Sequence, residues 1–369
     1  MKKNDIFVTK PSLPPLKDLV PYLEQIWDNK IVSNNGPFHK QLEDALCNYL
    51  GVPYISLVCN GTIGLIAALK ALEIKGEVIT TPYSFVATAN SLIMNNLKPI
   101  FVDIDPETLN LDPKKIEREI NENTSAIMPV HVYGHACDVE AINKIAKKYH
   151  LKVIYDASHA FGVKHHSSSL LNYGDLSVLS FHATKVFNTF EGGAIICQNA
   201  NIKQKIDKIK NFGFSSETTI DQIGINGKMN EFSAALGLIQ LNYIDANIEK
   251  RSIIDKSYRE CLKNVQGIRC HILAENLQNN YSYFPIFVED NYPLTRDQLY
   301  IKLKENGING RRYFYPLITE FSIYNDAEVS LGDDLQFAQK VASQVICLPI
   351  YDSMDTKIVK LISDIILNK

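Results

Sequence analysis

Short apolar, β-branched runs alternate with segments of helical periodicity through the first two-thirds of the chain. This alternation limits the fold more than any other feature. Tyr54–Val58, Glu77–Thr80, Lys98–Val102, Ser125–Val130, Lys152–Asp156, Leu176–Phe181 and Gly193–Cys197 read as strands. Thr62–Leu72, Ser84–Met94, Pro113–Ile120, Val139–His150 and Ile202–Asn211 read as the helices between them. Strand, helix, strand in repetition predicts βαβ units and an α/β fold with a mainly parallel sheet. Several strands end in polar or small residues, as at Cys59-Asn60-Gly61, Asp103 and Asp156. In an open α/β sheet that rim, at the carboxyl ends of the strands, is where ligands bind.

The texture then changes. One long helix is predicted from Met229 through Tyr258, with Phe232, Leu236, Ile239 and Tyr243 on one face. Tyr281–Val288 and Ile308–Tyr313 read as strands, and Thr295–Glu305, Gln336–Val345 and Lys357–Leu367 as helices, which makes a smaller α+β unit. The expected division is residues 1–245 as N-terminal arm and large domain and residues 246–369 as small C-terminal domain. The boundary falls inside the long helix. The arm, with Pro11, Pro14 and Pro15, is expected to pack against the second unit. A chain of 369 residues is long enough to give both units a core.

Charge and cysteine usage narrow the function. Lys plus Arg is 38 and Asp plus Glu is 41, so a net charge of −3 leaves no general footprint for nucleic acid or an anionic membrane. The seven cysteines are odd in number and contain no C-x-x-C, which suits free thiols in a reducing cytoplasm rather than disulfides or zinc. Neither an apolar leader nor an unbroken membrane span is legible: Ile55–Ile74 is interrupted by Asn60, Gly61, Thr62 and Lys70. His165-His166 lacks an acidic ligand set, so no metal is expected. No G-x-G-x-x-G follows the first strand, and neither G-x-S-x-G nor a P-loop occurs. A cytoplasmic enzyme is expected.

Four segments could carry its chemistry. Cys59-Asn60-Gly61-Thr62 joins an apolar strand to an apolar helix, where backbone amides make an anion site; it also reads as a plain corner capped by Thr62. Val153-Ile154-Tyr155-Asp156 delivers a carboxylate to the rim, followed by His159; Asp156 could hold a protonated ring nitrogen or simply cap a helix. Lys185, between a strand and Glu191-Gly192-Gly193, is either a solvated loop lysine or a desolvated amine able to attack an aldehyde. Gly224-Ile225-Asn226-Gly227-Lys228 is a polar loop fit for phosphate, for a neighbouring subunit, or for helix entry alone.

Taken together, these segments resemble a known family. Gly61-Thr62, Thr81-Pro82-Tyr83-Ser84-Phe85-Val86-Ala87-Thr88, Pro129-Val130-His131-Val132-Tyr133-Gly134, Asp156-Ala157-Ser158-His159 and Lys185 with Glu191-Gly192-Gly193 are similar, in order, to the DegT/DnrJ group of nucleotide-sugar aminotransferases. The resemblance covers nearly the whole chain. It implies the type I, aspartate aminotransferase-like fold and pyridoxal 5′-phosphate as cofactor. It makes Lys185 the cofactor-linking lysine and proton-transferring base, and Asp156 the partner of the pyridinium nitrogen. It places Phe85 on the ring face, and Gly61, Thr62 and Ser180 on the phosphate. It brings Asn226 to the phosphate from the partner subunit of a homodimer.

Three residues depart from the family's habit. His159 stands where Gln is usual and would add a pH dependence through its protonation. Asn60 stands for a common Ser and would leave the backbone amides unaffected. Lys228 stands for a frequent Arg and would give a single-point phosphate contact. The resemblance puts the sugar nucleotide against Ser33-Asn34-Asn35-Gly36-Pro37-Phe38, with Asn34, and against Arg311, Arg312, Tyr313 and Tyr315, where guanidinium groups suit a diphosphate. The implied reaction moves the amino group of L-glutamate to C4 of dTDP-4-dehydro-6-deoxy-D-glucose, for bacterial surface polysaccharide. A C3-aminotransferase, a GDP-sugar 4-aminotransferase, a sugar dehydratase (which would carry His in place of Lys185) and a non-catalytic cofactor-binding regulator are the alternatives.

Overall fold

The apolar runs become strands buried on both faces, the environment that a near-continuous hydrophobic sequence requires. A computed structural model describes residues 5–324, 330–331 and 334–367. Its central strands are β1 (Tyr54–Val58), β2 (Glu77–Thr80), β3 (Lys98–Phe101), β4 (Thr124–Met128), β5 (Lys152–Asp156), β6 (Leu176–Ser180) and β7 (Gly193–Cys197). With Ser330–Leu331 they form an eight-stranded sheet in the order Ser330–Leu331, β3, β2, β4, β5, β6, β7, β1. All neighbours run parallel except β7, which is antiparallel to both β1 and β6. Gly193 is the cross-strand partner of Val58 on one side and of Ser180 on the other. The ends of β1 and β6 therefore meet at one glycine.

Two helices precede the first strand where an arm was expected: α1 (Leu16–Asn29) and α2 (Pro37–Leu50). Pro14, Pro15 and Pro21 masked the first of them, although its buried Leu19 and Ile26 lie on one face. Upstream, Ile6–Phe7 pairs in parallel with Ile308–Asn309. Helix α2 is capped across the fold rather than by its own sequence. The buried Glu231 carboxylate accepts the amides of Phe38 at 2.8 Å and His39 at 2.9 Å. A side chain at Gly36 would place its Cβ 2.5 Å from the Glu231 carboxyl carbon.

After β1 comes α3 (Gly61–Ala71), buried on nearly all sides; Gly64 lets it lie close to Val178 of β6, 2.8 Å from where a Cβ would stand. Helix α4 (Ala87–Ile93) follows β2, and α5 (Val139–Tyr149) precedes β5. The single long helix predicted from Met229 through Tyr258 is instead two helices, α6 (Glu231–Gln240) and α7 (Ile244–Leu262). Neither glycine nor proline marks the break at Leu241-Asn242-Tyr243, so the apolar periodicity ran through it. The expected strand Ile308–Tyr313 shortens to Ile308–Asn309, and Arg311 keeps only an isolated bridge with Cys347. A second core forms from Ile254, Tyr258 and Leu262 of α7 with Phe284, Ile286, Ile346, Leu348 and Ile362. No helix among the described residues is long and apolar enough to cross a membrane.

Candidate active site

The rim formed by β1, β5, β6 and β7 gathers the expected residues. At the first corner, Asn60 caps α3: its Oδ1 accepts the Ile63 amide at 2.9 Å. Asn60 is thus the cap rather than Thr62, and the amide it takes is that of Ile63, beyond the Gly61-Thr62 pair. The Gly61 and Thr62 amides find no acceptor among the described residues. A Cβ on Gly61 would lie 3.0 Å from Ser180 Cβ, and one on Gly193 would lie 2.9 Å from the Gly61 nitrogen. Gly61, Ser180 and Gly193 therefore pack backbone to backbone, leaving free donors at a helix N-terminus.

Strand β5 ends in Asp156, a buried carboxylate. Its Oδ2 accepts the Thr88 hydroxyl of α4 at 2.8 Å, and its Oδ1 accepts the Ser158 amide at 3.1 Å and hydroxyl at 2.6 Å. Ser84 in turn contacts Thr88 at 2.8 Å. Such bonds fix the carboxylate plane. Phe85, at the entrance to α4, is 58% exposed, so its ring is free to cover a ligand.

Lys185 lies in the loop 181–192, which leaves the sheet at Ser180 and returns at Gly193. Its side chain is half-buried, and burial lowers its pKa from 10.5 to about 8, with Asp156 pulling the other way. An amine in that range has a usable neutral fraction at ordinary pH. Its Nζ is 3.4 Å from the Tyr283 hydroxyl, which is also 3.4 Å from His159 Nε2. The other ring nitrogen of His159 accepts the Tyr133 amide at 3.2 Å. Burial, with Lys185 nearby, holds the His159 pKa well below 6.5, so the ring stays neutral. Both causes work against the pH dependence expected of His159.

Tyr133 adopts a left-handed backbone, with φ of 57°, a conformation uncommon for a bulky residue and held here by full burial. Its hydroxyl meets that of Tyr83 at 2.6 Å, and both reach the Tyr313 carbonyl, so one hydroxyl donates to the carbonyl and the other to its neighbour. Tyr83, Thr88, Tyr133 and Tyr283 had no role in the sequence reading. The first three lie in motifs already quoted, whereas Tyr283 carries no local signal.

The remaining predicted residues lie in several places. Asn226 is exposed on a loop anchored to its own chain, where the Gly227 carbonyl accepts the Cys59 amide at 2.8 Å. Lys228 donates to Asn211 at 2.8 Å and sits over Phe212. Asn34 is exposed, with φ of 62°, in the loop before α2. Arg311 is exposed, while Arg312 pairs with Asp297 at 2.7 Å and stacks near Tyr300 and Tyr315. Tyr313 stands edge-on to Tyr283, and Tyr315 is partly covered by Arg296.

These residues fit pyridoxal 5′-phosphate. The cradle supplies amides for a phosphate, Asp156 a fixed carboxylate for a pyridinium, and Lys185 an amine for an aldehyde. The sequence profile of the DegT/DnrJ/EryC1/StrS aminotransferase family matches residues 16–367. The chain is 56% identical over 361 residues to a dTDP-4-amino-4,6-dideoxy-D-glucose transaminase of Shigella dysenteriae, covering 98% of each. It is 50% identical over 372 residues to an enzyme of the same name from Escherichia coli, covering 100% of each. Its fold superposes on a crystal structure of DesI, determined in the presence of its TDP-sugar product, with a TM-score of 0.93 at 30% identity, covering 98% of this chain and 92% of that one. A match running nearly end to end, over a site built to condense an amine with a carbonyl, makes this chain a member of the DegT/DnrJ/EryC1/StrS aminotransferase family.

Proposed function

We propose that this protein transfers the amino group of L-glutamate to C4 of dTDP-4-dehydro-6-deoxy-D-glucose, giving dTDP-4-amino-4,6-dideoxy-D-glucose and 2-oxoglutarate. The chemistry rests on the half-buried Lys185 amine beside the fixed Asp156 carboxylate. The choice of sugar rests on the full-length similarity to the two transaminases. Pyridoxal 5′-phosphate, when bound, supplies an electron sink for the carbanion at the reacting carbon. Lys185 would hold the cofactor covalently and act as the base that moves a proton between substrate carbon and cofactor carbon. Asp156 keeps the ring nitrogen protonated, with Thr88 and Ser158 holding its plane. The Gly61 and Thr62 amides and the Ser180 hydroxyl bind the phosphate. Phe85 covers the ring face, and His159 offers its Nε2–H as a donor.

The same reading makes the protein a cytoplasmic homodimer with a shared site. Trp27, 73% exposed, and the stacked pair Phe190 and Phe232 are apolar surface that a partner would cover. The hairpin Phe214–Ser216 and Thr219–Ile220 is exposed along its length, followed by Ile223 at 82% exposure. Asn226, just beyond, would reach the partner's phosphate. Asn34, Lys228, Arg311, Arg312, Tyr313 and Tyr315 would line the sugar-nucleotide path. Residues 1–245 would be the arm and cofactor domain and 246–369 the small domain. The product would serve surface polysaccharide.

Visible absorbance through two additions tests the reading. L-Glutamate should bleach the bound cofactor's band, and dTDP-4-dehydro-6-deoxy-D-glucose should restore it. Bleaching without recovery would keep the aminotransferase and discard the sugar; no bleaching would sink the activity.

A further inference from the structure

We propose that Tyr283 is a positioning residue for Lys185, its hydroxyl donating to the lone pair of the neutral amine. The proposal rests on the reading of Lys185 as the cofactor-linking lysine. It begins with the direction of each hydrogen bond. His159 Nδ1 accepts the Tyr133 amide, so the single proton of a neutral ring must sit on Nε2. That Nε2–H faces the Tyr283 oxygen at 3.4 Å and can only donate to it. The Tyr283 oxygen is thereby occupied as an acceptor, and its own hydrogen needs a partner. Lys185 Nζ, also at 3.4 Å, is the acceptor in reach among the described residues.

The two protonation states of Lys185 are therefore unequal. A neutral amine accepts from Tyr283 and completes a chain of donors from His159 through Tyr283. An ammonium has no lone pair, so Tyr283 would have to accept from both neighbours and leave its hydroxyl hydrogen unpaired in a largely desolvated site. The hydroxyl favours the neutral amine, in the same direction as burial. Burial also holds Tyr283 itself far up as a phenol.

Packing fixes where that hydroxyl stands. The Tyr283 ring lies 4.8 Å from His159, 5.5 Å from Tyr133 and 5.8 Å from Tyr313, centroid to centroid. The other titratable groups facing this cluster are Asp156 toward Lys185, and Cys347 and Arg251 toward Tyr283. Tyr283 immediately precedes the strand Phe284–Val288, far in sequence from the loop that carries Lys185. The amine is thus held by residues far apart in the sequence.

The test is the pH dependence of Lys185 acylation by acetic anhydride in the full-length, cofactor-free chain, read by peptide mass spectrometry. Thermal unfolding checks that Tyr283→Phe folds, and that change keeps the ring. In Tyr283→Phe the midpoint should move up by about one unit, an approximately tenfold loss of reactivity below pH 8. His159→Phe, which removes the upstream donor, should move it in the same direction by less. An unchanged midpoint in Tyr283→Phe, beside a depressed one in the parent, overturns the role of Tyr283 alone. A parent midpoint near that of an exposed lysine overturns the reading of Lys185 itself, and with it this proposal.

Discussion

Thr88 donates its hydroxyl to Asp156 Oδ2 at 2.8 Å, so the carboxylate at the end of β5 is braced by a helix that follows a different strand. Ser158 holds the other oxygen, and the carboxylate therefore cannot rotate without breaking bonds on both sides.

Thr88→Val keeps the volume and removes one charge-assisted bond. It should destabilise the fold by about 1.5–3 kcal/mol and lower turnover by roughly tenfold, while Asp156→Asn should lower turnover by a further large factor with the fold retained. Urea midpoints and steady-state rates on the pair check this; a Thr88→Val enzyme with full turnover would detach the brace from the chemistry.

Lys185 has a pKa of about 8 in the folded chain against an ordinary value of 10.5. Between those values the unfolded chain binds more protons than the folded one, so this group makes stability rise with pH across that window. In the cofactor-free protein, Lys185→Met should be the more stable variant near neutral pH, with its advantage shrinking toward pH 10.5. Denaturant midpoints across that range, compared with the parent, give the sign directly. The same variant should lose transamination and the visible band together.

His159 is neutral through the physiological range, because its pKa lies well below 6.5. A rate profile between about pH 6 and 8 should show no limb that disappears in His159→Gln. A limb present in the parent and absent from that variant would restore the histidine as a titrating group.

Glu231 satisfies two amides at the start of α2 from a buried position. Glu231→Ala should cost about 1–3 kcal/mol for each amide left without an acceptor. Calorimetry would measure it. Gly36→Ala should be destabilising through the same carboxylate, because its Cβ has no room beside it.

A side chain at Gly61 narrows the cradle against Ser180 by the contact already given. Gly61→Ala should weaken cofactor binding by about tenfold or more while the helix itself, capped by Asn60, stays formed. Titration of the apoprotein with pyridoxal 5′-phosphate, followed by absorbance, is the measurement.

The central strands were legible because each is an apolar run between turn residues, as at Tyr54–Val58 and Gly193–Cys197. Asp156 and Lys185 were legible as candidates because one ends a strand and the other lies in the excursion between two strands. What could not be read is set by contacts between distant segments. Glu231 caps a helix that begins nearly two hundred residues earlier, and no local pattern announces that. Tyr283 acquires its place beside Lys185 from the packing of the C-terminal unit, and the break between α6 and α7 leaves the apolar spacing intact. The depressed pKa of His159 comes from burial and from nearby Lys185, neither of which composition encodes.

The reversed direction of β7 has a consequence for how the enzyme tolerates change. Because Ser180 and Gly193 are paired across the ladder, the segment bearing Lys185 is a closed excursion whose two ends are locked by the sheet. Phe181 and Gly192 tighten the neck, with the Phe181 amide bonded to the Gly192 carbonyl at 2.8 Å. The entropy of closing that excursion is met by strand pairing, not by any group that handles substrate. The closure of the excursion therefore does not depend on the exposed side chains it carries, such as Thr184.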